Sequence, residues 1–199
     1  MSKMNLPNKL TLGRIILVPL MVAALLIDFP FNNLVALIIF AAASITDLLD
    51  GKIARKQNLV TDFGKFADPL ADKILVLATL LCFVQNGYCD CVAVIIVLFR
   101  EFSVTSIRLI AASSGEVIAA NIWGKAKTVS QMIAVNAILV MQFILNLAND
   151  TNLISAQAES IMSSAFGIAG EVLVWISTVF AVISGVIYIV QNRNFISET

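Results

Sequence analysis

Six apolar segments dominate the sequence, near residues 11–29, 34–54, 70–86, 91–112, 126–147 and 168–191. Each is close to the roughly 20 residues that carry a helix across a bilayer's hydrocarbon core. The rest of the chain has too little polar surface to coat a water-soluble globule. Only 13% of its residues are charged and 59% are hydrophobic, where a soluble domain carries about 25% charge. These features predict an all-α, polytopic membrane protein with six transmembrane helices. The 199 residues suit a single membrane domain spanning 1–199.

Residues 3–10 are mildly amphipathic, with Met4, Leu6 and Leu10 among Lys3, Asn5, Asn8 and Lys9. They predict a short N-terminal interfacial segment, limited in regularity by Pro7. Lys3, Lys9 and Arg14 before an apolar run could also open a cleaved signal peptide. Arg14 and Pro19 interrupt that run and no clear small-residue cleavage site follows, so a retained first helix is expected. Pro30, Asn32-Asn33, Asn86-Gly87 and Asn149-Asp150 read as breaks. Residues 148–167 are polar and Ser-rich and read as a loop.

The thirteen basic residues are distributed one-sidedly. With six spans, the N-terminus, the 55–70 loop, the 112–126 loop and the C-terminus share a side. None of the thirteen falls in the loops near 30–33, 87–90 and 148–167, where Asp28, Asp90, Asp150 and Glu159 occur instead. The positive-inside rule puts the basic side, and both termini, in the cytoplasm.

The chain contains no His, which removes the commonest general base and zinc ligand. A metal site must then use oxygen ligands, which favours Mg²⁺, Mn²⁺ or Ca²⁺. Cys82, Cys89 and Cys91 have neither zinc spacing nor the pattern of a disulfide framework.

The chemistry concentrates in Asp47-Leu-Leu-Asp50-Gly51-Lys-Ile-Ala54-Arg55, followed after eight residues by Gly64-Lys-Phe-Ala-Asp68-Pro-Leu-Ala-Asp72. On a helix, Asp47 and Asp50 lie about 60° apart, and Asp68 and Asp72 about 40° apart. Two helices joined by a short loop can bring both pairs together. Four converging carboxylates repel unless cations hold them, and two hard cations can clamp a pyrophosphate for in-line displacement. Gly51, Ala54 and Gly64 clear space for a backbone or ligand, and Arg55 offers a fork for a phosphate oxygen. Taken singly, any of these acids can be a solvated helix end. Asp68-Pro69 in particular resembles an N-cap with Pro at the first helical position.

The pattern D-x2-D-G-x2-A-R-x8-G-x3-D-x3-D resembles the signature of CDP-alcohol phosphatidyltransferases at every fixed position. The resemblance implies six transmembrane helices, a cytoplasm-facing site, a homodimer and two bound divalent cations, Mg²⁺ or Mn²⁺. It implies that Asp47, Asp50 and Asp68 are metal ligands and that Asp72 is both a metal-site carboxylate and the general base. Gly51, Ala54, Arg55 and Gly64 would border the CDP moiety. Further segments are similar to the bacterial members that use glycerol 3-phosphate as acceptor: Asn5-Leu-Pro-Asn8-Lys-Leu-Thr11-Leu-Gly-Arg14, Arg100-Glu101-Phe102, Arg108 and Gly124-Lys125-Ala-Lys127-Thr128. That similarity covers roughly the first 130 residues. It implies transfer of a phosphatidyl group from CDP-diacylglycerol to glycerol 3-phosphate in the bacterial cytoplasmic membrane, among membrane lipids and without a nucleic-acid partner.

The basic residues of the fourth and fifth segments make physical sense in that setting. Arg100 and Arg108 are about 12 Å apart along a helix, which puts Arg100 inside the bilayer. Arg100, Arg108, Lys125 and Lys127 are candidates for binding the acceptor phosphate. Against that stand a structural pairing of Glu101 with an arginine and ordinary positive-inside placement of the lysines. Trp123 reads as an interface anchor. Serine, an inositol phosphate or phosphatidylglycerol are the alternative acceptors. An ion or metal transporter is the remote alternative, disfavoured because the acids lie at one membrane face rather than the midplane.

Overall fold

Apolar sequence in a bilayer must satisfy its backbone hydrogen bonds within itself, and a helix does so. The computed structural model describes residues 6–57, 62–113, 115, 118, 121–151 and 155–194, with backbone alone for 6–7, 48–57, 62–69, 72 and 113. Among the described residues six helices follow in order: α1 (Leu6–Leu26), α2 (Asn32–Gln57), α3 (Asp62–Gln85), α4 (Cys91–Ser113), α5 (Ile122–Asp150) and α6 (Ala156–Gln191). No strand occurs among the described residues, so the expected all-α membrane fold is the one observed.

Three stretches, Asn8–Leu26, Ile122–Asp150 and Ala156–Gln191, are long and apolar enough to cross a membrane by themselves. In α2 and α3 the apolar stretches are shorter, Asn32–Asp47 and Lys73–Gln85. Both helices run on past them, α2 for ten residues after Asp47 and α3 for eleven before Lys73. Asp47 ends the first of these stretches, and the rest of the acidic motif occupies the extensions. Helix α4 has the length to span but carries Arg100, Glu101 and Arg108 within it.

α1 packs against α2 and α3, α5 packs most extensively against α6, and α4 leans on α6. The shared core contains Met21, Phe40, Phe83, Val94, Val97, Ile138, Leu139 and Val174, with Ala36, Ala43 and Ala181 fully buried where helices approach closely. Apolar side chains such as Ile16, Ile38, Ile95, Phe102, Ile133 and Val172 face outward, as a lipid-facing surface requires.

Helix ends follow their local chemistry. Asn86-Gly87 ends α3 as expected: Gly87 takes φ 73°, its N–H donates to Val84 O and that of Tyr88 to Phe83 O, the paired C-terminal cap that favours glycine. Asn86 Nδ2 donates to Leu25 O at 3.0 Å, filling a carbonyl that α1 leaves open at its end. Of the amphipathic stretch 3–10, residues 6–10 are continuous with α1; residues 3–5 lie outside the described residues.

The expected loop at 148–167 is corrected. Helix α5 continues to Asp150 and α6 begins at Ala156. Ser155 caps α6 by accepting from Ala158 N at 3.3 Å, and Glu159 in the first turn accepts from Asn149 Nδ2 at 2.9 Å. Polarity suggested a loop there, but nothing between Ser155 and Gly167 breaks a helix, and the cap with an acid in the first turn starts one. At 36 residues α6 is about 54 Å long, well beyond the hydrocarbon thickness.

Candidate active site

The backbone of α2 carries Asp47, Asp50, Gly51, Ala54 and Arg55, and that of α3 carries Gly64, Asp68 and Asp72. Helical geometry therefore puts each acid pair on one face of its helix, as the spacing implies. Asp68 is the seventh residue of α3, not its N-cap, because the helix already starts at Asp62. The side chains of Asp50, Gly51, Ala54, Arg55, Gly64, Asp68 and Asp72 lie outside the described residues.

Asp47 is the one motif carboxylate whose side chain is described. Arg14 Nη1, on α1, lies 2.6 Å from Asp47 Oδ1, with side-chain exposures of 0% for Arg14 and 38% for Asp47. Among the described residues no three His, Cys, Asp or Glu side chains come together. The donor set along the two helices is nonetheless all carboxylate, with no His or thiolate between, and it fits hard divalent cations rather than zinc.

Immediately after Asp72, Lys73 enters a cavity of about 500 Å³ between α3, α4, α5 and α6. Arg100, Arg108, Lys125 and Lys127 all line it, so the four basic residues singled out by sequence come together. Among the described residues, five cations line the space with one carboxylate, Glu101.

The cations divide into two kinds. Arg100 Nη1 and Lys127 Nζ both contact Glu101 Oε1, at 2.8 Å and 2.6 Å. Glu101 and Lys127 are buried, so the structural pairing of Glu101 exists, with a lysine as well as an arginine. Arg108 does not pair with Glu101, although the two share a helix face by spacing. Its Nε donates to Tyr188 OH at 3.2 Å and its guanidinium lies 5.6 Å from the Tyr188 ring centroid. Neither Arg108 nor Lys125 forms an ion pair among the described residues, and both are exposed. Lys73 Nζ donates to Thr105 Oγ1, and Thr105 in turn donates to Glu101 O at 2.6 Å.

Helix α6, which lies beyond the roughly 130 residues that carry the family resemblance, shapes this cavity. Arg100 Nη2 donates to Ser184 Oγ at 2.5 Å. A Cβ on Gly185 would come within 2.9 Å of Arg100 Cγ, so the arginine stem passes where only glycine leaves room. The signal was present: Ser177, Thr178, Ala181, Ser184, Gly185 and Tyr188 form one buried small-and-polar stripe at helical spacing. Asn121, which caps α5 by accepting from Gly124 N at 2.7 Å, also lines the cavity. Trp123 is exposed, as an interface anchor would be.

Comparison with known proteins adds to this geometry. The sequence profile described as CDP-alcohol phosphatidyltransferase matches residues 4–190. The chain is 41% identical over 200 residues to a CDP-diacylglycerol–glycerol-3-phosphate 3-phosphatidyltransferase of Bacillus subtilis (strain 168), covering 94% of this chain and 95% of that protein. It is 34% identical over 184 residues to the protein of the same name from Rickettsia bellii (strain RML369-C), covering 92% and 93%. It is also 39% identical over 150 residues to a CMP-forming cardiolipin synthase of Oryza sativa subsp. japonica, covering 68% of this chain and 46% of that protein.

Proposed function

The chain belongs to the CDP-alcohol phosphatidyltransferase family, and from that membership we propose that it transfers the phosphatidyl group of CDP-diacylglycerol to glycerol 3-phosphate, giving phosphatidylglycerophosphate and CMP. What supports the choice of acceptor is the cavity that Lys73 enters, where five cations and one carboxylate stand among the described residues. Serine and phosphatidylglycerol are poorer matches to so cationic a space than a small phosphate dianion.

In this reading Asp47, Asp50, Asp68 and Asp72 hold two divalent cations, Mg²⁺ or Mn²⁺, which when bound neutralise the diphosphate and stabilise the charge that develops on it. Arg108 and Lys125 hold the acceptor phosphate, with Arg100 and Lys127 fixed behind them by Glu101. Asp72 takes the proton of the acceptor's primary hydroxyl. The hydroxyl oxygen bonds to the lipid-bearing phosphorus, the bond from that phosphorus to the bridging oxygen breaks, and CMP leaves with the electron pair. Gly51, Ala54, Arg55 and Gly64 border the CDP moiety. The one-sided basic residues support a site and both termini at the cytoplasmic face of a bacterial inner membrane, and the family resemblance implies a homodimer.

The test is product analysis of the purified protein with labelled CDP-diacylglycerol and a panel of acceptors. CMP release with phosphatidylglycerophosphate formation on glycerol 3-phosphate is expected. Turnover only with serine, an inositol phosphate or phosphatidylglycerol would retain the family chemistry and overturn the acceptor.

A further inference from the structure

One face of α1 takes no part in the reaction as described. Asn8, Thr11 and Arg14 are buried there and run on into Val18, Met21 and Leu25 along a single helical stripe. Three polar residues at the head of an otherwise apolar stripe are costly in a membrane helix and mark a task by default. Arg14 shows the task most directly. Its side chain has no exposed surface, and Nη1 reaches Asp47 Oδ1 at 2.6 Å. The Asp47 side chain is 38% exposed, so its carboxylate is anchored from the buried side while part of its surface remains open to another partner.

We propose that Arg14 is a positioning residue for the cation site, holding Asp47 in the rotamer that presents its open side to a divalent cation. The proposal rests on the reading above that Asp47 is a cation ligand. Two effects of Arg14 oppose one another. Its charge repels an incoming cation. It also fixes the direction of the Asp47 carboxylate through the 2.6 Å contact to a side chain with no exposed surface. Because Arg14 is buried and packed, the carboxylate is oriented before any cation arrives, and orientation outweighs repulsion. Residues that orient metal ligands typically contribute about 10- to 100-fold in affinity.

Mn²⁺ binding to the purified protein without substrates, followed by the electron paramagnetic resonance of the free ion, separates these roles. Arg14→Gln is expected to weaken Mn²⁺ binding at least about tenfold, and Arg14→Lys, which keeps the charge but loses the planar fork, to fall between it and wild type. Combined with Asp47→Asn, Arg14→Gln is expected to add no further loss, because its effect passes through Asp47. A merely structural role would lower the unfolding temperature in detergent and leave Mn²⁺ affinity unchanged in the folded fraction. Where Arg14→Gln does not fold, Arg14→Lys carries the test. Wild-type or tighter Mn²⁺ binding in a folded Arg14 variant overturns the proposal, as does an additive loss in the double variant. Wild-type affinity in Asp47→Asn alone instead overturns the ligand assignment on which the proposal rests.

Discussion

Glu101 spends one oxygen on two cations, Arg100 and Lys127, whereas Arg108 and Lys125 form no ion pair among the described residues. The four basic residues should therefore respond differently to substitution. Arg108→Gln and Lys125→Gln are expected to raise KM for glycerol 3-phosphate about tenfold each, the lower end for a charge-assisted contact because both side chains are exposed. KM for CDP-diacylglycerol and the unfolding temperature should barely move. Lys127→Gln should act first on stability, since it withdraws one of the two cations from a buried carboxylate; the loss should stay below the about 3–5 kcal/mol of a fully stranded buried charge, because Arg100 remains on Glu101. Kinetics and thermal unfolding of the same preparations check both halves. A KM effect confined to Lys127 would move the phosphate site behind Glu101. For Asp72→Asn, loss of the base is expected to lower turnover about 10²–10⁴-fold while CDP-diacylglycerol still binds; a near-normal rate at neutral pH would remove Asp72 as the base. The identities of these residues were legible in the sequence because ions inside apolar segments are rare and expensive. Their partners were not. Spacing along α4 offered Arg108 to Glu101, and nothing in the linear order linked Glu101 to Lys127, which α5 brings to it.

Helices α1 to α5 were legible for a similar reason, since an apolar run bounded by Asn, Gly or Pro leaves few alternatives. The start of α6 was not, because a Ser-rich polar stretch reads as a loop until its cap is seen. The role of α6 was missed for a further reason. Ser184, Gly185 and Tyr188 are unremarkable singly, and their meaning lies in facing Arg100 and Arg108. Replacing Gly185 tests that role directly. A methyl at this position would meet Arg100 Cγ at 2.9 Å, so the arginine must shift. Its contacts to Ser184 and Glu101 would loosen together. Gly185→Val is expected to lower kcat/KM for glycerol 3-phosphate at least about tenfold, equivalent to roughly 1.4 kcal/mol. Gly167→Val, on the same helix at a glycine with nothing within 4 Å of the added atom, should leave kinetics unchanged. Equal effects at both positions would mean that helix propensity, not the arginine, is responsible.

Orientation concerns the chain as a whole, and no single helix determines it. The proposed cytoplasmic orientation rests on the one-sided basic residues together with the six helices among the described residues, and it decides whether a water-soluble phosphate acceptor can reach the cavity from the cytoplasm. Native cysteines allow a clean test. Cys82 and Cys89 are buried and Cys91 is exposed. Burial, helped by the negative charges of Glu171 and Asp90, pushes the Cys89 thiol up to about 12 from 9.0, so at neutral pH it holds its proton and lacks the thiolate that reacts. Replacing Cys91 with Ser should therefore leave a background nearly silent to a membrane-impermeant maleimide. On that background, single cysteines at Asp90 and Thr151, both exposed, should be labelled in intact cells. Cysteines at Gly115 and Asn194, also exposed, should be labelled only after the membrane is opened. Gly115 lies between α4 and α5, near the helix ends that bring Arg108 and Lys125 to the cavity, so its behaviour reports on access to the site itself. Labelling of Gly115 and Asn194 in intact cells, with Asp90 and Thr151 protected, would invert the protein and put the cavity out of reach of a cytoplasmic acceptor. A mixed pattern, with Asp90 and Thr151 on opposite sides, would instead break the pairing of helix ends on which the six-span arrangement depends.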